Sequence, residues 1–122
     1  MLTVEDHERA LGFYRDALGL AQLEDWSGEQ GRVVLLDAGH ATLELVDPRQ
    51  AATIDEIEVG SRVAGSFRIA LEVDDSDTAA AALQAAGADR VGGPVDTPWH
   101  DRNVRLRAPD GMQLTLFTPL ER

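Results

Sequence analysis

The residues best suited to chemistry in this 122-residue chain lie in Thr97-Pro98-Trp99-His100-Asp101-Arg102. An imidazole titrates near neutral pH and can move a proton, and an indole offers a flat apolar face to a ligand ring. No partner for His100 is identifiable, so it reads as a solvated loop residue. Trp99 fits a ligand wall and a packed core equally well. His7, in the first turn of a helix, and His40, in a hairpin turn, read as exposed and lack the spacing of a metal pair. Asp55, Glu56 and Glu58 form an acidic cluster that reads as a solvated face. Gly92-Gly93-Pro94 reads as a turn, because no strand-to-helix context makes it a phosphate loop.

Composition removes other chemistries. The chain has no cysteine, and all 11 of its basic residues are arginine. That excludes thiolate nucleophiles, disulfides and zinc–sulfur or iron–sulfur sites, as well as a lysine Schiff base or a P-loop lysine. A net charge of −11 argues against nucleic acid, whose phosphates need a basic patch. No apolar run approaches a membrane span and no signal peptide is visible, so the expected location is cytoplasmic, with no membrane partner.

The elements that must position these residues follow from periodicity. Met1 to Val4 reads as a strand and Asp6 as a helix cap. Ala10, Leu11, Phe13, Tyr14, Ala17 and Leu18 recur at helical spacing, and Gly19 closes the helix. Tyr14 and Phe13 read as core. Strands are expected over Leu20–Asp25, Arg32–Asp37 and Ala41–Val46, and Asp47 to Ser66 as a connector with a short helix or packed irregular segment. The series then repeats. Phe67–Val73 is a strand, Asp75 or Ser76 is a cap, and Ala79, Ala82, Leu83 and Ala86 form a helix face closed by Gly87. Arg90–Val95, Asn103–Arg107 and Gln113–Thr118 are strands.

The two series superimpose. Leu2-Thr3-Val4-Glu5-Asp6 matches Leu71-Glu72-Val73-Asp74-Asp75 at an offset of 69. Leu43-Glu44-Leu45 matches Leu114-Thr115-Leu116, and Val33-Val34-Leu35-Leu36 matches Val104-Arg105-Leu106-Arg107, both at 71. A duplicated β-α-β-β-β unit accounts for this. The expected fold class is α+β, a single domain over residues 1–122 with module one at 1–47, a connector at 48–66 and module two at 67–118.

Val4-Glu5-Asp6 with Glu8-Arg9-Ala10-Leu11-Gly12-Phe13-Tyr14-Arg15-Asp16-Ala17-Leu18-Gly19-Leu20 resembles the first helix of the vicinal oxygen chelate superfamily, which includes glyoxalase I, bleomycin-resistance proteins and extradiol dioxygenases. Ala41-Thr42-Leu43-Glu44-Leu45, Arg68-Ile69-Ala70-Leu71-Glu72-Val73-Asp74-Asp75 and Pro109-Asp110-Gly111-Met112-Gln113-Leu114-Thr115-Leu116 look like its other landmarks. The resemblance implies two tandem βαβββ modules whose curved mixed sheets enclose a cavity, commonly completed in a homodimer. In metal-using members each module supplies a histidine five residues before the valine of a Val-x-Asp signature and a glutamate in its last strand. Carried over, the first position falls upstream of Met1 and the second is Glu44. The third is Arg68 and the fourth is Thr115. A guanidinium is always protonated and has no lone pair for a metal. No metal and no cofactor are therefore expected.

Strand alternation then predicts the cavity lining. Thr42, Glu44 and Val46 face in, as do Arg68, Ala70 and Glu72, while Phe67, Ile69, Leu71 and Val73 pack under a helix. Gln113, Thr115 and Phe117 face in, with Asn103, Arg105 and Arg107 beside them. Val34 and Leu36 are the module-one counterparts of the two arginines, giving one apolar and one cationic wall. Arg68, Arg105 and Arg107 against Glu44 and Glu72 make the lining mildly cationic and place the acidity outside. Arg68 paired with Glu44 then either replaces the metal as electrostatic centre, receiving a ligand carboxylate together with Arg105, or is a structural ion pair in a degenerate pocket. In relatives a Pro-Trp-Gly-x-Arg type of sequence sits at the cavity mouth, and His100 takes its glycine position.

The expected ligand site is Thr42, Glu44, Arg68, Glu72, Trp99, Arg105, Gln113 and Thr115. The expected function is metal-free binding of a small, aromatic or anionic molecule, as in the bleomycin-resistance branch. The alternatives are a lyase, isomerase or dioxygenase-type enzyme of the same fold, glyoxalase (lactoylglutathione lyase)-like or dioxygenase-like, or an interaction domain with a vestigial pocket.

Overall fold

The structure, a computed structural model, describes residues 1–63 and 65–121. Ala64 of the expected connector, and Arg122, lie outside the described residues. The chain divides into two compact units, Met1–Thr53 and Ile54 onward. Each is a four-stranded mixed sheet with a helix on one face, so the α+β class and the β-α-β-β-β order of the sequence reading hold.

In the first unit β1 (Leu2–Thr3) runs parallel to β4 (Thr42–Val46), and β3 (Val33–Asp37) and β2 (Gln22–Asp25) follow antiparallel in the order β1-β4-β3-β2. Asp6 caps α1 (His7–Leu11), accepting from the Arg9 amide at 3.0 Å. The helix then widens into a π-helical segment, Gly12–Ala17, seen in the Leu18 N–H donation to Phe13 O at 2.9 Å. An i→i−5 turn holds more residues than an α-turn, which shifts every following side chain around the axis. Leu18, expected inside, is therefore exposed; Phe13, two residues past the buried Leu11 and so on the opposite side of the helix, is exposed as well, while Tyr14 packs beside Leu11. Gly19 ends the segment at φ +92°, a conformation open to glycine at little steric cost.

Leu11 sits on Val34, Leu36 and Leu45, which form the core under the helix. This corrects the expected register. Leu35 pairs with Glu44 in this unit and Arg105 pairs with Thr115 in the other, so the third strands correspond at an offset of 70 rather than 71. Val34 and Leu36 match Val104 and Leu106 on the helix side, and Leu35 is the counterpart of Arg105. A slip of one residue exchanges the two faces of a strand. His7 is also corrected. It is buried, and its Nε2 donates to Leu45 O at 3.0 Å.

The segment read as a connector holds α2 (Pro48–Glu58), 11 residues long, which runs through the boundary between the units. In the second unit β5 (Arg68–Glu72) runs parallel to β8 (Gln113–Pro119), with β7 (Asp101–Arg107) and β6 (Asp89–Asp96) antiparallel beyond, in the order β5-β8-β7-β6. Helix α3 (Ser76–Ala85) starts at Asp75, whose carboxylate accepts from the Asp77 and Thr78 amides. Its Ala80 is buried on Val104, Leu106 and Leu116. The helix packs over β6, β7 and β8, which leaves Phe67 and Leu71 exposed rather than covered. Ala82, Leu83 and Ala86 are exposed as well, and the buried face is Ser76 and Ala80. Gly92-Gly93-Pro94 is not a turn but an irregular stretch of β6, where the pairing with β7 shifts register.

Two measurements check this packing. Leu106→Ala should cost about 2–5 kcal/mol in equilibrium unfolding, whereas Leu71→Ser on the uncovered strand should stay within about 0.5 kcal/mol. The Thr78 backbone and hydroxyl hydrogen bonds hold the Asp75 carboxyl below the usual carboxylate range. Its contribution is thus complete above the unfolded carboxyl value of about 3.9 and is lost as pH falls through the lower folded value. Thermal melts of Asp75→Ala should lie below the parent at pH 7, with the gap closing in acid.

Candidate functional site

Arg68, Asn103, Arg105, Gln113 and Thr115 lie on the face of the second sheet opposite α3, because they alternate with the helix-packed Val104, Leu106, Leu114 and Leu116. All five are buried. The acidic residues read as a solvated face turn out to be their partners. Asp55 and Glu58 stand three apart in α2, so both carboxylates project from one side of the helix. Asp55 is fully buried and Glu58 is 4% exposed. Only Glu56 of the cluster faces solvent.

The contacts are specific. Arg105 donates from Nη1 to Asp55 Oδ1 at 2.8 Å and from Nη2 to Glu58 Oε1 at 2.7 Å. Asn103 Nδ2 donates to Glu58 Oε2 at 3.0 Å. Arg68 Nη1 hydrogen-bonds Thr115 Oγ1 and stands 3.8 Å from Glu58 Oε1. Arg62 Nη1 and the Val63 amide each close on Asp55 Oδ2 at 2.9 Å. The last turn of α2 lies so near β6 that a Cβ on Gly92 would come 2.7 Å from Glu58 O. Gly92 is bare because the helix needs that space.

These partners correct the charge assigned to this face. Two buried guanidiniums meet two buried carboxylates, so the buried set is neutral rather than mildly cationic, and the acidity is not all outside. Arg105 has both Nη atoms engaged within its own unit. On this face Arg105 Nε, Asn103 Oδ1 and Gln113 Oε1 are buried without a hydrogen-bond partner among the described residues. Glu72, also expected to line the site, is exposed on the outer strand.

In the first unit the face opposite α1 carries Thr42, which is exposed, and Glu44, which is half-buried beside Leu35. Trp26 was not anticipated by the sequence reading. Its amide bonds Val33 O at 2.9 Å, which places it on that same face, and it is 56% exposed. The alternation from Glu24 to Trp26 was the available signal. Trp99 is 41% exposed in the β6–β7 loop. His100 is exposed with φ +67°, the left-handed conformation that explains why a glycine suits this position.

The sequence matches the family model described as the Glyoxalase/Bleomycin resistance protein/Dioxygenase superfamily over residues 1–116. The chain belongs to this superfamily. Among solved structures, a hypothetical protein from Bacillus halodurans C-125 superimposes with a TM-score of 0.71 at 18% identity, covering 99% of this chain and 91% of that one. Methylmalonyl-CoA epimerase from Mycobacterium tuberculosis gives 0.65 at 21% identity, with 98% and 85% covered. An antibiotic-binding protein from Streptomyces sp. CB03234 is 32% identical over 97% of this chain and 90% of its own, with a TM-score of 0.37. No curated protein matches the sequence. Among the described residues no helix is long and apolar enough to cross a membrane.

Arg68 and Thr115 are the second-unit positions at which the resemblance implies metal ligands, and here a permanent cation and a hydroxyl are hydrogen-bonded to each other.

Removing Arg105 takes the closest buried cation from both Asp55 and Glu58. Arg105→Ala should therefore cost about 3–5 kcal/mol in denaturant unfolding, while Arg102→Ala, which breaks only exposed contacts to Asp77 and Asp96, should cost far less.

Proposed function

We propose that this protein is a metal-free member of its superfamily that binds a small organic molecule with a flat apolar part. The observation that carries the reading is the Arg68–Thr115 hydrogen bond. Supporting the reading, the two second-unit positions at which the resemblance implies metal ligands carry a permanent cation and a hydroxyl bonded to it. A site of this kind recognises its ligand by shape, stacking and hydrogen bonds. The two tryptophans of the chain, Trp26 and Trp99, each leave about half of the residue exposed, and indoles suit a planar ligand because they bring a large contact area with one polar handle.

Elemental analysis and fluorescence test this together. Purified protein should contain far less than one equivalent of divalent metal per chain. Titration with flat aromatic fragments should shift the intrinsic tryptophan emission saturably, and Trp26→Leu or Trp99→Leu should remove part of the response. Stoichiometric metal that survives dialysis, with affinity dependent on it, would falsify the reading.

A further inference from the structure

Helix α3 is too narrow for the sheet it covers. A helix with its side chains is about 10 Å across and neighbouring strands are about 4.8 Å apart, so one helix covers two or three strands. Here it lies over β6, β7 and β8, and the outer strand β5 keeps its helix-side residues in the open. Phe67 is 46% and Leu71 45% exposed, with Ile69 half-buried between them. The first unit has no such strip, because Leu2 and Val4, in and just after β1, pack on the core under α1. The flank of α3 beside the strip is apolar too. Asp77 bonds Arg102, which also holds Asp96 of β6, and Gln84 bonds Arg90 of β6, so the polar flank of the helix faces β6. Helical spacing then turns Ala79, Leu83 and Ala86 toward β5. No residue from Thr78 to Ala88 is charged. Strand floor and helix wall make a trough about 17 Å long, the span of the five residues of β5.

Both ends of the trough are acidic. β5 runs on through Asp74 to Asp75, where α3 begins, and both are exposed. At the other end Gln113 pairs with Arg68 at the start of β5, and a Cβ on Gly87, just past α3, would stand 3.6 Å from Pro109 Cγ. That sets the exposed Asp110 there. Arg68, the one basic residue of β5, is buried on the opposite face. We propose that the trough between α3 and β5 is the docking site for an amphipathic helix of a partner protein, apolar along one face and carrying Lys or Arg at both ends. A second helix packs beside α3 at about 8–10 Å between axes, and the alanines of the wall admit it at the near end of that range. The length of the trough matches about 11 helical residues, three turns with apolar anchors at i, i+3 or i+4, and i+7. The basic ends meet Asp74, Asp75 and Asp110, which fixes orientation and raises the rate of encounter. A second copy of this chain is a poor occupant, because it brings the same carboxylates and a net charge of −11 against its own kind.

A synthetic Leu/Lys helix of about 14 residues, leucines along one face and lysines at both ends, tests this by fluorescence anisotropy at physiological salt. A Leu/Glu isomer and a scrambled Leu/Lys peptide are the controls. The Leu/Lys helix should bind saturably, neither control should match it, and it should slow amide exchange over residues 67–72 and 79–86. Phe67→Ser with Leu71→Ser removes the apolar floor and keeps every carboxylate, so it should bind the helix at least about tenfold more weakly. Leu83→Ser, on the wall, should weaken binding in the same direction and serves if the double variant fails to fold. Asp74→Asn with Asp110→Asn should weaken binding and flatten its dependence on salt. No saturable binding, equal affinity in the parent and the apolar variants, or slowed exchange confined to another segment would overturn the proposal. So would a dimer in sedimentation that Leu71→Ser dissociates, since a second copy would then be the occupant.

Discussion

A guanidinium with no access to water stands at the centre of the second unit. Burying Arg105 removes its hydration, a penalty of several kcal/mol for an ion in a protein interior. The cost is offset only because two carboxylates reach it at 2.7 and 2.8 Å. Much else follows from that requirement. Asp55 and Glu58 must share one helix face, the end of α2 must lie on the sheet, and Gly92 must be bare. Arg62 and the Val63 amide close on the remaining oxygen of Asp55, and Asn103 takes the remaining oxygen of Glu58.

The two units show how one frame carries different interiors. Val34 and Leu36 in the first do what Val104 and Leu106 do in the second, packing under a helix. On the opposite face the frame is free to vary. The first unit places Val33 and Val46 against Ala51 there, and at the position where it has Leu35 the second unit has Arg105. The repeated pattern specifies the fold, while the intervening positions carry what is particular to each unit.

Local signals read well from the sequence. The caps at Asp6 and Asp75, the left-handed glycine at Gly19 and the alternation of the strands are decided by a few neighbouring residues. The errors share a cause in distant partners or in geometry that departs from the ideal period. Asp55 and Glu58 look like a solvated face because their partner Arg105 is 50 and 47 residues away. His7 looks exposed because the carbonyl that holds it belongs to Leu45. Leu18 looks buried on a period of 3.6, which the π-helical segment breaks. The slip at Val34 arose because short apolar runs align almost equally well at two offsets. Of the expected site, Arg68, Arg105, Gln113 and Thr115 do come together in the second unit. The carboxylates that complete the set came from the segment read as a connector.

Arg105 and Glu58 stabilise the second unit as a pair rather than as separate residues. A double-mutant cycle of Arg105→Met and Glu58→Met, read by urea unfolding, measures that directly. The double variant should be more stable than the sum of the single losses implies, with a coupling of about 1.5–3 kcal/mol, because each single change leaves a buried charge short of a partner. Additive losses within about 0.5 kcal/mol would contradict it.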